Sequence, residues 1–550
     1  VSDIRELAEA RGVETTWVDV RGAEHEVDED VLRALLDHLE EPDGRVLGPV
    51  VVAWDGRAEV AVPPVDEVVV RFEDGAEQAV VVEDGRAVLA HLPAGVHRLR
   101  AGTAEATVLA APSVLPRVGG RSWGVFAPLY ALRDGRDVPV GDLTALGELG
   151  RWATARGAAW VATLPLLPVD YETDPVDPSP YRPVTRLAWN ELHLDLARLP
   201  ELGPDDVLPV PADPGHVDWA ILAKEVTSLL TRAVQRLSDR RRAELELFLA
   251  ARHEIAGYAR FRGRGSPTLT LVHGYAQWAL HDQLDELSRD VDLYLDLPLG
   301  VHPDGYDATV HASTFATGVT VGAPPDDLAP DGQDWGFAPL HPQRARCGGH
   351  PYLRACLEHH LGVARMLRLD HVMGLHRLWW IPPGASPTEG AYVRYPADEQ
   401  YAVLSLAAAR HRAEIVGENL GTVPPEVDAT LHTRGLVGMW PYQLADGPPR
   451  ADDLAVLNTH DLPPYAAWRA EHPGAPPLAD VLAQLGASAA RHVQVSFEDL
   501  WGETRPQNVP GTGPEAANWR RRAARTLPEV AADAGIDAVL ARLDTERSAP

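Results

Sequence analysis

Lysine is almost missing from this 550-residue chain: Lys224 is the one example, and arginine supplies the rest of the positive charge. That scarcity argues against chemistry built on a Schiff-base lysine or a phosphate-cradling lysine. Cysteine is nearly as rare. The two present, Cys347 and Cys356, are too few for a disulfide framework in a chain this size, which fits a reducing compartment. Positive charge is in deficit as well, with 80 acidic against 50 basic residues and a formal net charge of -30. Such a surface repels phosphate backbones and anionic headgroups, so neither nucleic acid nor membrane is expected as a partner, and a neutral substrate is favoured. No apolar run approaches membrane-spanning length, and Val1-Ser2-Asp3-Ile4-Arg5-Glu6 has neither a basic nor an apolar signal region. Cytoplasm is the expected location. Fixed-period repeats and low-complexity tracts are also missing.

What is present is a large apolar fraction, 45% of residues, enough for one big catalytic domain and one or two smaller modules. Residues 1 to 45 carry apolar positions at helical spacing, among them Leu32, Leu35, Leu36 and Leu39, and read as short helices around a turn near Arg11-Gly12. Residues 46 to 115 alternate in polarity between Asp-Gly turns at 55 to 56, 74 to 75 and 84 to 85, the pattern of a small β-sandwich. From 120 to 545, short buried apolar runs alternate with longer helical stretches, which indicates parallel strands joined by helical crossovers. Strands are expected near 123 to 129, 159 to 167, 291 to 299, 364 to 370, 414 to 418, 435 to 440, 454 to 459 and 493 to 497. Eight strands suit an α/β fold of the (β/α)8 type. The interval from 170 to 290 is too long for one crossover and should hold an inserted helical subdomain, with helices through 220 to 240 and 241 to 260.

Barrel active sites lie at the C-terminal ends of the strands, so polar residues that end apolar runs are the candidates. Three such ends are Leu367-Arg368-Leu369-Asp370-His371, Val416-Gly417-Glu418-Asn419 and Asn458-Thr459-His460-Asp461. A lone carboxylate at a strand end is commonly a cap or an ion-pair partner. Three on separate strands, each beside another polar group, weaken that reading and set catalysis beside it, with sugar chemistry one option among several. Retaining glycosyl transfer needs a carboxylate nucleophile and a carboxyl acid/base roughly 5 to 5.5 Å apart, and Asp370 and Glu418 on successive strands suit that chemistry. Arg368, on the same face as Asp370, would keep the nucleophile ionised, whereas Glu418 needs an apolar surrounding or a neighbouring carboxylate such as Asp461 to hold its proton. Asp461 and His460 are also placed to hydrogen-bond sugar hydroxyls.

A zinc reading of Cys347-x-x-His350 with Cys356-x-x-His359-His360 competes on spacing alone. It is disfavoured, because 352 to 364 reads as a helix on which His359 and His360 point about 100° apart. No metal and no cofactor is expected.

At these strand ends the sequence resembles the 4-α-glucanotransferases of glycoside hydrolase family 77, the amylomaltases or disproportionating enzymes, over about residues 120 to 530. Leu367 to Gly374 resembles the family's nucleophile strand, Val416 to Pro424 its acid/base strand, and Thr459-His460-Asp461-Leu462-Pro463 the segment with its third carboxylate. The loop Gly322-Ala323-Pro324-Pro325-Asp326, continuing to Gly332-Gln333-Asp334-Trp335-Gly336, is similar to one characteristic of these transferases and absent from ordinary α-amylases. Ser179-Pro180-Tyr181, Asp296-Leu297-Pro298, Asn508-Val509-Pro510-Gly511-Thr512 and Asn518-Trp519-Arg520 follow in the family's order. The N-terminal part resembles the extra module of longer bacterial members. Asn419 departs from the family's usual Asp after the acid/base glutamate. Asp327 and Leu328 lack an aromatic pair that some members place over the acceptor, which counts against long-glucan or cyclising activity.

The resemblance implies that maltooligosaccharides, glucose and other α-glucans are donors and acceptors. It implies a double displacement with Asp370 as nucleophile, Glu418 as acid and then base, and Asp461 as the third carboxylate. Arg368, His460, Tyr181, Asp296, Asp326, Trp335 and His371 are then the substrate-binding candidates, with Tyr181 and Trp335 as ring platforms for sugar faces. A transferase must favour sugar over water as acceptor, a task assigned to residues 322 to 336. Plain α-glucan hydrolysis and silent glucan binding are the alternatives; the transferase-type loop argues against the first and the full set of carboxylates against the second. Oligomeric state is left open, a homodimer among the options.

Overall fold

Short aliphatic runs bounded by polar residues form the central strands of the computed structural model, which describes residues 3 to 549 except positions 20, 42, 43, 174, 212, 327, 328 and 514. Eight strands close into a barrel in chain order: β1 (Ser122–Phe126), β2 (Trp160–Ala162), β3 (Leu293–Leu297), β4 (Met366–Leu369), β5 (Glu414–Gly417), β6 (Val437–Pro441), β7 (Asp453–Val456) and β8 (His492–Ser496). Pairing is parallel, as where Ser122 faces His492 on β8 and Gly438 faces Asp453 on β7. Every residue of β2, β3, β4 and β5 is buried, which is why these strands read as unbroken apolar runs. The α/β barrel expected from the sequence is the fold observed, strand for strand.

The chain divides into two compact units, Gly119–Pro298 with Val363–Arg368 and Val437–Pro550, and Val1–Val118 with Leu299–Gly362 and Leu369–Leu436. In the first, Leu143–Thr154 forms a helix because Leu143, Leu146, Leu149 and Trp152 recur every three residues, and Asp142 caps it by accepting the Ala145 N–H at 2.9 Å. The long insertion holds helices Trp219–Gln235, Asp239–Ala251, His253–Gly263 and Pro267–Asp290. The single helix expected over 241 to 260 is broken at Arg252, which leaves helical dihedrals (φ -129, ψ 82) and lays its guanidinium over Phe248.

In the other unit, the expected N-terminal helices appear as Ile4–Ala10 and Glu29–Leu36, but a hairpin of Thr16–Val18 and Glu24–Glu26 separates them. Asp19 closes the hairpin by accepting the Arg21 and Ala23 N–H groups, Gly22 supplies a positive φ of 80, and Trp17 stacks on His25. Seven strands between Val50 and Ala111 form one sheet, from Val50–Trp54 at one edge to Ala58–Ala61 at the other. Ala53, Val68, Leu99 and Val108 share one core with Val60, Ala87 and Leu89 near the far edge, so the sheet folds over itself as a sandwich does. A further four-stranded antiparallel sheet runs in the order Gln333–Asp334, Thr320–Ala323, Arg377–Ile381, Ala391–Arg394. Leu32, Leu35 and Leu36 of the N-terminal segment share a core with Val321, Phe337 and Trp380 of this region, and Trp335 packs against it. Among the described residues, no helix is long and apolar enough to cross a membrane.

Candidate active site

Strand alternation decides which side chains face the barrel interior. On β3 and β4, Asp296 and Arg368 are charged residues in otherwise apolar, fully buried strands, and a buried charge is tolerated only when paired. They pair with each other: one Arg368 Nη donates to both Asp296 oxygens at 2.8 Å. Tyr181 donates its hydroxyl to Asp296 Oδ2 at 2.7 Å and lies flat against His460, ring centroids 4.6 Å apart. His460 Nε2 meets Asp461 Oδ2 at 3.1 Å, and Asn508 donates to Asp461 Oδ1 at 2.7 Å. Trp519, at a positive φ of 58, sets its ring against both Tyr181 and His460. A small cavity of about 30 Å³, lined by Asp296, Arg368, Asn458 and His460 among others, is roomy enough for one water.

The charges of this group follow from the same contacts. Burial works to raise the Asp461 carboxyl, but the His460 charge and hydrogen bond, the Asn508 amide and Arg368 overcome it and hold the carboxyl at about 2. For His460, burial works to lower the imidazole, yet Asp461 wins and raises it above the ordinary histidine value. Asp461 is therefore a carboxylate throughout the working range.

Asp370 and Glu418 each take a backbone bond. Asp370 directly follows β4, and its Oδ2 accepts the Leu299 N–H at 3.2 Å. Glu418 directly follows β5, still in ladder contact with Leu369 through its own N–H, and its Oε2 accepts the His371 N–H at 2.7 Å. His371 points that N–H by adopting a left-handed conformation, φ 46 and ψ 65, which a residue with a Cβ rarely takes. Gly417 allows the close approach: a Cβ there would stand 2.9 Å from a Val372 methyl. Trp335 sets its ring against His371, centroids 5.1 Å apart, and donates from Nε1 to Gln333.

The structure thus brings Tyr181, Asp296, Arg368, His460 and Asp461 together, and it brings Asp370, His371, Glu418 and Trp335 together. Asp326 instead closes a turn of its own loop, accepting the Ala329 N–H at 2.6 Å, and Asp327 and Leu328 lie outside the described residues. Asn419 reaches Asp428 at 3.4 Å. Trp379 and Trp380 are buried packing residues. His350 meets Glu399 at 2.9 Å, His360 meets the Cys356 carbonyl, and Cys347 is exposed while Cys356 is buried. Sequence reading passed over Glu498 and Asp499, two buried acids just after β8, although a carboxylate ending an apolar run was the signal used at the other strands.

The 4-alpha-glucanotransferase family model matches residues 127 to 264 and 266 to 526. The chain is similar to the 4-alpha-glucanotransferase of Mycobacterium tuberculosis, 31% identical with 82% of each chain covered, and to that of Haemophilus influenzae, 29% identical over 62% of this chain and 59% of that one. In fold it is similar to an amylomaltase from Corynebacterium glutamicum, with a TM-score of 0.86 at 24% identity over 99% of both chains. It is also similar in fold to an amylomaltase from Streptococcus agalactiae in complex with acarbose, with a TM-score of 0.69 at 19% identity over 77% of this chain and 99% of that one. On the family match and the identity to the mycobacterial enzyme, the chain belongs to the 4-alpha-glucanotransferase family.

Proposed function

We propose that this chain transfers segments of α-1,4-glucan between maltooligosaccharides, glucose and other α-glucans through Asp370, Glu418 and Asp461. An Asp370 oxygen attacks the anomeric carbon of the donor, the bond to the departing sugar oxygen breaks, and that oxygen takes the proton of Glu418. A glycosyl ester on Asp370 results. Glu418, now a carboxylate, accepts the proton of an incoming sugar 4-hydroxyl as that oxygen displaces Asp370, and two inversions give net retention.

The observation that supports this reading best is the backbone hold on both reacting groups, with Leu299 N–H on Asp370 and His371 N–H on Glu418. A backbone donor of this kind helps fix the direction in which a carboxylate presents its oxygens. Asp461, kept ionised by His460 and Asn508, hydrogen-bonds sugar hydroxyls as positive charge grows at the anomeric carbon. Arg368, Asp296, Tyr181, His460 and His371 position the donor. The loop from 322 to 336, with Asp326 and Trp335, favours sugar over water as acceptor. Residues 1 to 45 and 46 to 115 are accessory modules to the catalytic portion from 120 to 545, and the two unbridged cysteines suit a cytoplasmic setting.

Incubation with maltotriose tests the reading. Glucose should appear together with maltopentaose and longer products, and acarbose, present in the Streptococcus agalactiae amylomaltase structure, should compete. Shorter sugars alone would mean hydrolysis and would overturn the transfer assignment.

A further inference from the structure

Just past β8, Glu498 and Asp499 are buried side by side, 6% and 2% exposed. Neighbouring buried carboxylates are costly, and each here is turned to a different set of partners. Asp499 Oδ2 accepts from the Asn458 amide at 2.9 Å and Oδ1 accepts the Tyr465 N–H at 2.7 Å. Those two donors are the stems of the segment that bears His460 and Asp461. Glu498 turns the other way, taking two bonds from Arg521 at 2.7 Å and one from Gln507 at 2.9 Å. Gln507 accepts the Tyr130 hydroxyl and immediately precedes Asn508, which holds Asp461 Oδ1.

We propose that Glu498 and Asp499 are a positioning pair that sets Asp461: Asp499 clamps both stems of the Asn458 to Tyr465 segment, and Glu498 anchors the strand of chain whose Asn508 grips the Asp461 carboxylate. The proposal rests on the assignment of Asp461 as a working carboxylate. Neither acid touches substrate in this scheme. Packing alone does not account for Asp499: burial pushes its carboxyl up to about 7, against the opposing pull of the Tyr465 N–H and Asn458, and the Glu498 charge adds to the rise. A carboxyl raised in the fold costs stability increasingly as pH climbs from its ordinary 3.8 to about 7, and in full above that, so its presence is better explained by the two stem bonds than by stability.

The test is Asp499→Asn in the full chain, with Asp461→Asn in parallel. Asparagine keeps the shape and one acceptor but sets an amide against the Asn458 amide. kcat for maltotriose disproportionation should fall about 10- to 100-fold, the scale of a misplaced group, with KM within about threefold. Tm at pH 8 should stay level or rise, since the buried charge is gone. An unchanged kcat, or a kcat loss in folded protein that a fall in Tm accompanies, would overturn the proposal. Should the single variant not fold, Asn458→Asp with Asp499→Asn reverses donor and acceptor at the same place. Activity within about tenfold of the parent supports the clamp, and a stable but inactive double variant overturns it. Full activity in Asp461→Asn would sink the assignment beneath the proposal, an outcome distinct from any result at Asp499.

Discussion

Side-chain bonds orient one pair of carboxylates in this molecule, and backbone bonds take part in orienting another. Asp461 and Asp296 are gripped by side chains, His460 and Asn508 for one, Arg368 and Tyr181 for the other. Asp370 and Glu418 each accept a backbone N–H, from Leu299 and His371. Side-chain partners that carry charge lock a carboxylate in one protonation state, and Asp461, held at about 2, shows the result. The backbone bonds from Leu299 and His371 orient Asp370 and Glu418, the two groups proposed to form a bond and to pass a proton.

Removing a reacting group should break the comparison most sharply. Asp370→Asn should lower kcat on the order of 10⁴-fold or more with Tm nearly unchanged, measured by maltotriose turnover and thermal unfolding. Glu418→Gln should fall about as far on maltotriose, roughly 10³-fold or more, yet should still release fluoride in a first burst from an α-maltosyl fluoride donor, whose leaving group needs no proton. Failure of that burst would take the acid role away from Glu418.

Asp461→Asn removes a charge-stabilising group and should cost less, about 10²- to 10³-fold in kcat. Its pH signature has a definite sign. Because the folded carboxyl is held at about 2, below its ordinary 3.8, its contribution to stability is full above about pH 4 and fades as pH falls toward 2. His460 is raised above its ordinary 6.5, so its contribution is full below about pH 6.5 and is lost as pH rises past the raised value. The Tm gap between the parent and Asp461→Asn should therefore be widest between about pH 4 and 6.5 and narrow on either side. A gap that widens toward pH 2 would contradict the ion pair.

The smallest effect is expected at the turn that aims the His371 N–H. His371→Val puts a β-branched residue at φ 46, strain of about 1 to 3 kcal/mol, and should lower both Tm and kcat. His371→Gly keeps the turn and loses the ring, so its kcat should fall less. The reverse order would mean that the backbone bond to Glu418 matters less than the imidazole.

Much of this architecture was legible because buried parallel strands write themselves as apolar runs that stop at a polar residue, and Asp370 and Glu418 are those stopping residues on β4 and β5. The hairpin at Thr16–Val18 and Glu24–Glu26 was not, since three-residue strands are too short to show a period. Nor was the bond between Arg368 and Asp296, because sequence separation carries no cross-strand register. The sheet containing Trp379 and Trp380 escaped for a related reason: a short run buried at Leu378, Trp379, Trp380 and Ile381 has no alternation to mark it as a strand.

The most direct test of the account is the mass of the Glu418→Gln protein after reaction with α-maltosyl fluoride, followed by peptide mapping. Attack by Asp370 expels fluoride, and the glycosyl ester should persist because glutamine cannot accept the proton of an incoming sugar. The expected result is one added maltosyl unit on the peptide containing Asp370. An unmodified protein, or an adduct on any other carboxylate, would contradict the assignment of Asp370 and Glu418.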